Sequence, residues 1–368
     1  MKKYSTALKN LDIPTLIVLF LLALFSLTML ESTVYNGGIV FARVVLIQMI
    51  SYILGFILVF IIAAFDYKFF EGAEKYLYIF AVVLLLSVYI PGLGMTVYGS
   101  RAWINLGFTT LQPSEFVKIL FVMINAGYLS SHRNELNTFK GFLKAFLYAC
   151  PIIVVVLKED LGSALVYMVM WLFMVFFAGT DLKVLLKSAL IVLLAIPVAY
   201  RFLDDYQKGR IEAFLHPDNL SLSGNYQVWQ SKVAIGSGGV WGKGLFHGMQ
   251  KTLDFIPVQQ SDFIFSVVCE ELGLIGGISL LILYGVLISR MFSIIYRIED
   301  MYGALIIIGF IGMLLFQVFE NIAMTMGFMP VTGITLPFVS GGGTSVLASM
   351  ISMGVVLNIG IRSKVIEF

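Results

Sequence analysis

YGALIIIGFIGMLLFQVFENIAMTM, residues 302–326, decides the fold class. The run exceeds the roughly 20 apolar residues that a bilayer crossing needs, and its single ionisable side chain is Glu320. It has no polar face on which to lie at an aqueous surface, so it must be buried on all sides or face lipid. Comparable runs recur near 12–30, 42–64, 76–91, 115–129, 142–157, 161–178, 182–200, 264–289 and 344–361, which makes ten in all. Segments 76–91 and 142–157 are short, and Pro151 falls inside the second. The whole chain of 368 residues is 59% hydrophobic and 12% charged, about half the charge of an ordinary soluble domain. These features predict an all-α, polytopic integral membrane protein of about ten transmembrane helices. They form a single transmembrane domain over 1–368, with a large loop at 201–261 between the seventh and eighth. The first apolar run has no small-residue cleavage site and reads as a retained helix, not a signal peptide.

Orientation follows from the basic residues of the short loops. Lys2, Lys3, Lys9, Lys68, Lys75, Arg133, Lys140, Lys144, Lys183, Lys187, Arg290, Arg297, Arg362 and Lys364 fall on one side, against Arg43, Arg101 and Lys158 on the other. Both termini are therefore expected in the cytoplasm, with the 201–261 loop extracytoplasmic. A net charge of +2 gives no reason to expect nucleic acid. Cys150 and Cys269 lack CxxC spacing, and His132, His216 and His247 are scattered, so no structural zinc is expected.

The outward connections are unequal. Residues 92–114 are rich in glycine and aromatics, 158–161 form a tight KEDL turn, and 327–343 contain no charge. Within the long loop, QVWQSKVAI (227–235) suits a short helix, either lying at the interface with Trp229 at headgroup level or packing inside. GSGGVWGKG (236–244) is not a phosphate loop, because Ser237 and Gly244 stand where that motif needs Gly and Ser or Thr. The run Ser340–Ser345 before the last segment reads equally as a flexible cap or as backbone N–H groups lining an anion site. Ser340 is accordingly a candidate substrate contact.

An ionisable side chain within a membrane segment costs about 2.5–3.5 kcal/mol on insertion scales and is a functional candidate by default. Glu115, Lys118, Glu270, Glu271 and Glu320 qualify, while Asp160 and Asp262 stand at the outer mouths of segments. Glu115 and Lys118 share a helical face at i, i+3. They read either as a self-neutralising pair or as a lysine held ready for an anionic phosphate. Asp262 reads either as a carboxylate favoured by a helix N-terminus or as a catalytic base. The helix dipole would lower its proton affinity and burial among aromatic residues would raise it.

Four blocks resemble one family. GSRAWINLGFTTLQPSEFVKI (99–119), KEDLGSALV (158–166), QSDFIFSVVCEELGLIG (260–276) and NIAMTMGFMPVTGITLPFVSGGGTS (321–345) are similar to the SEDS proteins of shape, elongation, division and sporulation. The wording of the last two blocks is closer to the elongation branch than to the division branch. The resemblance implies a peptidoglycan glycosyltransferase that polymerises lipid II at the outer face of the cytoplasmic membrane. It implies Asp262 as general base on the 4-hydroxyl of the acceptor sugar, and undecaprenyl pyrophosphate as leaving group. Arg101, Trp103, Glu115, Lys118 and Asp160 fall on the family's functional positions. A divalent cation, Mg or Mn, is implied beside Lys118 and Arg101, with Asp160 and Asp262 as candidate ligands. A class B penicillin-binding transpeptidase is the implied partner, in a setting of membrane lipid. The chain departs from the family in reading QQSDFIF for HTDFIF and SGGG for SYGG. A flippase or transporter of lipid-linked precursors is the competing reading, kept open by Glu270, Glu271 and Glu320.

Overall fold

A computed structural model of the chain describes residues 11–35, 42–97, 100–107, 109–201, 203–222, 224–249, 255 and 258–363. Lys2, Lys3, Lys9 and Lys364, on which part of the orientation rests, lie outside the described residues.

All ten apolar segments coincide with helices: α1 (Ile13–Val34), α2 (Arg43–Ala64), α3 (Glu74–Leu86), α4 (Pro113–Ser131), α5 (Phe139–Glu159), α6 (Leu161–Phe177) and α7 (Leu182–Arg201), then α10 (Ile264–Ile295), α11 (Met301–Thr325) and α12 (Gly343–Ser363). The long loop contributes α8 (Asp205–Leu215) and α9 (Asn225–Gly238). Six of these helices (α1, α2, α5, α10, α11 and α12) are long and apolar enough to cross a membrane. Pro151 does not interrupt α5. The most apolar windows of α11 and α12 are each 83% buried, against 33% for α2, so the opening stretch 302–326 lies inside the bundle. There it packs against α4 and α6, where Gly309 admits Val122 and Met174 side chains at close range. Small residues matter here because helices in lipid associate through close van der Waals contact.

The all-α expectation needs one amendment. The 92–112 connection folds into an antiparallel sheet, β1 (Gly94–Val97), β2 (Ser100–Asn105) and β3 (Thr110–Leu111), in the order β1-β2-β3. Its β-branched and aromatic residues favour the pleat, and pairing satisfies backbone groups that a bare loop would leave open. Ala102 and Ile104 are buried on one face of β2, and the period of two places Arg101 and Trp103 on the other.

α10 is broken at Gly273, whose φ of 66° and ψ of −163° are non-helical. A backbone break at membrane depth must be satisfied by other protein groups. Residues 239–244, which follow α9, supply them. Lys243 and Gly244 N–H donate to the carbonyls of Glu270 and Glu271 at 3.0 Å, and Leu274 N–H donates to Gly239 O at 2.9 Å. The chains approach so closely that a Cβ on Gly242 would lie 2.1 Å from Glu271 O, and one on Gly273 would lie 2.4 Å from Gly242 N. The carboxylates next to the break hold the same hairpin. Glu270 takes Lys243 Nζ at 2.7 Å and Met249 N–H at 2.9 Å. Glu271 takes the Ser32 hydroxyl from α1 at 2.6 Å and Gly248 N–H at 3.3 Å. These two glutamates act inside the protein, as their depth in the sequence suggested.

Gly242→Ala and Gly273→Ala are each expected to destabilise the protein by about 1–3 kcal/mol through overpacking and backbone strain. Gly236→Ala, with open space at its Cβ position, is expected to be neutral or slightly stabilising because alanine favours the helix. Thermal unfolding of the purified proteins in detergent checks both expectations.

Candidate functional site

A cavity of about 1000 Å³ opens between α4, α6, α8, the β-sheet and the 330–345 segment. Arg101, Trp103, Glu115, Lys118, Asp160 and Asp262 all line it. Six side chains from sequence positions 101 to 262 therefore meet in one space, although three separate connections and two helix starts carry them.

Asp262 is held by its backbone before its carboxylate does anything. It sits two residues before α10, with Phe263 buried against Ala234 of α9. The Asn321 side-chain amide donates at once to Asp262 O at 2.9 Å and to Ile334 O at 2.8 Å. One buried amide from α11 thus clamps the start of α10 to the 330–335 segment. Asp262 Oδ1 accepts the Ser261 hydroxyl at 2.8 Å, and Oδ2 is turned toward Gly333. Burial pushes the proton affinity of Asp262 above the ordinary carboxylate range, and nearby Asp160 adds to the rise. The Ser261 hydrogen bond and the positive charge of Arg210 oppose it without overcoming it. Burial, which the sequence weighed against a helix N-terminus, is the largest of these influences.

The other expected residues divide by how engaged they are. Lys118 Nζ lies 2.7 Å from Glu115 Oε1, and Lys118 is only 2% exposed. Pro113 begins α4, so the pair occupies its first two turns. Asp160 caps α6, taking Gly162 N–H at 3.1 Å, Ser163 N–H at 3.0 Å and the Ser163 hydroxyl at 2.6 Å. Arg101 Nε donates to Val88 O at 3.0 Å, which leaves the rest of its guanidinium to the cavity.

Ser340 does not line the cavity. It is 2% exposed, its hydroxyl donates to Ser261 O, and its Oγ accepts Leu336 N–H at 2.8 Å. It braces the wall behind Asp262, so the expected substrate contact is corrected to a structural one. The neighbouring glycines do line the cavity, but Gly341 N–H donates to Gln260 O and Gly342 N–H to Gln48 Oε1. Those two N–H groups are therefore not an anion cradle. Glu320 accepts the Thr332 hydroxyl from beneath the same segment, which makes it a support of the wall and weakens the transporter reading.

Arg43, Lys158, Glu159 and Arg210 also line the cavity and were not singled out by the sequence. Glu159 accepts a hydrogen bond from Tyr89, whose ring lies 5.4 Å beneath Lys158 Nζ. Arg210 comes from α8, and its only sequence signal was a basic residue in a polar stretch of the long loop. Within the loop, α9 packs inward through Ala234, and the Ser231 hydroxyl reaches Thr325 O at 2.8 Å. Trp229 on its outer face is 48% exposed. Among the described residues no three His, Cys, Asp or Glu side chains converge as a metal cage.

A family model described as cell cycle protein, FtsW/RodA/SpoVE, matches residues 10–365. The peptidoglycan glycosyltransferase MrdB of Escherichia coli K12 is 34% identical over 315 residues, covering 85% of this chain and 85% of its own. A structure of a peptidoglycan synthase complex that coordinates polymerization and crosslinking superposes with a TM-score of 0.80 at 28% identity, covering 95% of this chain and 97% of the other. The rod shape determining protein RodA of Thermus thermophilus gives 0.69 at 26%, covering 95% and 96%.

The buried Glu115–Lys118 pair makes an asymmetric prediction. Lys118→Met alone leaves a buried carboxylate without its partner and is expected to cost about 3–5 kcal/mol of stability. The double variant Glu115→Gln/Lys118→Met is expected to recover most of that loss. Thermal unfolding of the two proteins side by side measures the difference.

Proposed function

The chain belongs to the FtsW/RodA/SpoVE cell cycle protein family, and from that premise we propose that its polar cavity is a glycosyl-transfer site with Asp262 as the base. The chain is a peptidoglycan glycosyltransferase of the cell-shape and elongation type. The observation that carries the site is Asp262 itself, a carboxylate of raised proton affinity fixed at the wall of a cavity lined by five basic side chains.

The substrate we assign is lipid II, and the product is the growing glycan strand. Joining two such molecules needs a base on the attacking hydroxyl and positive charge on the departing diphosphate. Asp262 takes the proton of the acceptor 4-hydroxyl as that oxygen attacks the anomeric carbon. The bond to the undecaprenyl pyrophosphate breaks in the same displacement, which inverts the anomeric centre. Arg43, Arg101 and Lys158 line the same cavity and are the cations for the diphosphate in this reading. Trp103 offers an aromatic face to the sugar, while Asp160 orders the start of α6 through its cap. Lys118, held by Glu115 as the sequence suggested, lines the same cavity and adds a fixed positive group to its wall.

A divalent cation, Mg or Mn, would supply further positive charge to the departing diphosphate in this reading. One or two carboxylates plus substrate phosphate oxygens are a usual magnesium environment, and Asp160 and Asp262, two of the carboxylates lining the cavity, would hold it. The cavity opens to the outside of the cytoplasmic membrane, the ten apolar helices span it and both termini are cytoplasmic, as the distribution of Lys and Arg supports. A class B penicillin-binding transpeptidase is the assigned partner, by analogy with the synthase complex that couples polymerization to crosslinking.

Asp262→Asn is expected to reduce lipid II polymerisation by about 10²–10⁴-fold without lowering thermal stability, since it keeps the side chain's shape and removes a partly desolvated charge. A wild-type rate for that protein would remove Asp262 from the role of base. The base works only when ionised, so activity falls as pH drops through its raised pKa. The acid limb of kcat/KM should accordingly sit above the ordinary carboxylate range of about 4. Excess chelator is expected to stop polymerisation, and added Mg or Mn to restore it, while the melting temperature of the substrate-free protein stays unchanged.

A further inference from the structure

Arg210 differs from the lysine assigned to the cavity by sequence. None of the ion pairs among the described residues includes it. Its partners are neutral: Nη1 donates to Thr332 O at 2.7 Å, Nη2 donates to the Tyr206 hydroxyl, and the guanidinium lies 4.5 Å over the Tyr206 ring. Its position is therefore fixed while its charge is not cancelled by a carboxylate in contact.

Arg210 and Asp262 both border the space beside Gly333. The point where a Cβ on Gly333 would sit is 3.5 Å from Asp262 Oδ2 and 3.9 Å from both Arg210 terminal nitrogens. Gly333 has a φ of 77°, and its lack of a side chain keeps this gap open. The floor of the gap is rigid, because Thr332 O is held by Arg210 and Ile334 O by Asn321. Hydrogen bonds from a guanidinium or to a carboxylate run about 2.7–2.9 Å. Two of them can meet across this gap on a single oxygen, or on two oxygens carried by adjacent carbons. The gap is too short for an attacking oxygen, an anomeric carbon and a departing phosphate arranged in line between the two residues.

We infer that Arg210 is a substrate-binding residue on the acceptor side, donating to the sugar hydroxyl vicinal to the one that Asp262 activates. This inference rests on the glycosyl-transfer reading above and adds to it the recognition of a vicinal diol. A donor on the attacking oxygen itself would compete for the lone pair that attacks, so the productive contact is to its neighbour. For an acceptor that reacts at its 4-hydroxyl, that neighbour is the 3-hydroxyl of the same ring. The guanidinium fixes the rotation of the sugar about the bond being formed, and Oδ2 then faces the correct proton. Asp262, Asp160, Glu320 and Arg210 are the charged groups that share this part of the cavity's field.

The test uses the full-length protein in detergent or vesicles, with labelled 4-deoxy lipid II as a donor that cannot accept. The acceptor is lipid II, either intact or lacking the 3-hydroxyl of its terminal sugar. The wild-type protein is expected to use the 3-deoxy acceptor with a kcat/KM lower by roughly 10- to 100-fold, the loss of one charged hydrogen bond. Arg210→Gln and Arg210→Ala should be slower with the intact acceptor and suffer little further loss with the 3-deoxy one. Gly333→Ala keeps both side chains and fills the gap, so it should raise KM for the acceptor and erase the same discrimination. A wild-type protein that uses both acceptors equally overturns the inference, as does a 3-deoxy penalty that persists in the Arg210 and Gly333 proteins. Asp262→Asn is run alongside. If it polymerises normally, the underlying reading fails. If it is inactive while the 3-deoxy penalty persists in the variants, only the assignment of Arg210 falls.

Discussion

Backbone polar groups away from water must find partners inside the protein, and the break in α10 is where this constraint organises the molecule. Gly273 takes the chain out of helical geometry, and residues 239–244 enter to accept and donate the bonds that the helix gives up. The exchange works only because Gly242 and Gly273 meet without side chains. Glu270 and Glu271 then extend the clamp, one to Lys243 and the other to Ser32 on α1. The large loop is thereby tied to the body of the bundle at its far end, and the first turns of α10 become a rigid post. Asp262 stands at the top of that post.

A second clamp completes the placement. Asn321, on the deeply buried α11, joins the backbone of Asp262 to that of Ile334 through one side-chain amide. Ser340 braces Ser261 from the other side. Catalytic geometry of this kind depends on neighbours whose own positions are fixed. The residues that make it so here are polar groups buried in an apolar bundle, each engaged by a specific partner. Their cost is the desolvation of amides, hydroxyls and carboxylates. That cost is offset where a partner is found, as for the Asn321 amide nitrogen and the Ser340 hydroxyl.

Charge in the cavity is distributed unevenly, and the distribution separates tasks. Lys118 and Glu115 cancel one another at 2.7 Å. Asp160 turns its carboxylate to the N-terminus of α6. Arg210 is held by a carbonyl, a phenol and an aromatic face, so its field reaches Asp262 undiminished by a direct ion pair. A polymerase of lipid-linked sugars needs such a division, since diphosphate and acceptor must be recognised by different groups within one cavity.

Much of this was legible in the residues alone. The ten apolar runs each became a helix because hydrophobic length and the demand for internal backbone bonding leave a membrane segment no other structure. The depth of Glu270, Glu271 and Glu320 marked them as interior partners. The blocks around Arg101, Lys118, Asp160 and Asp262 named their family and converge on one cavity. The β-sheet, the hairpin seated in α10, the inward position of Ser340 and the arrival of Arg210 beside Asp262 were not legible. Each depends on contacts between residues far apart in the chain: Lys243 with Glu270, Ser340 with Ser261, Arg210 with Thr332. Periodicity and composition report which residues avoid water. Which polar group meets which inside the bundle, and hence how far Asp262 is withdrawn from water, is decided only when the helices pack.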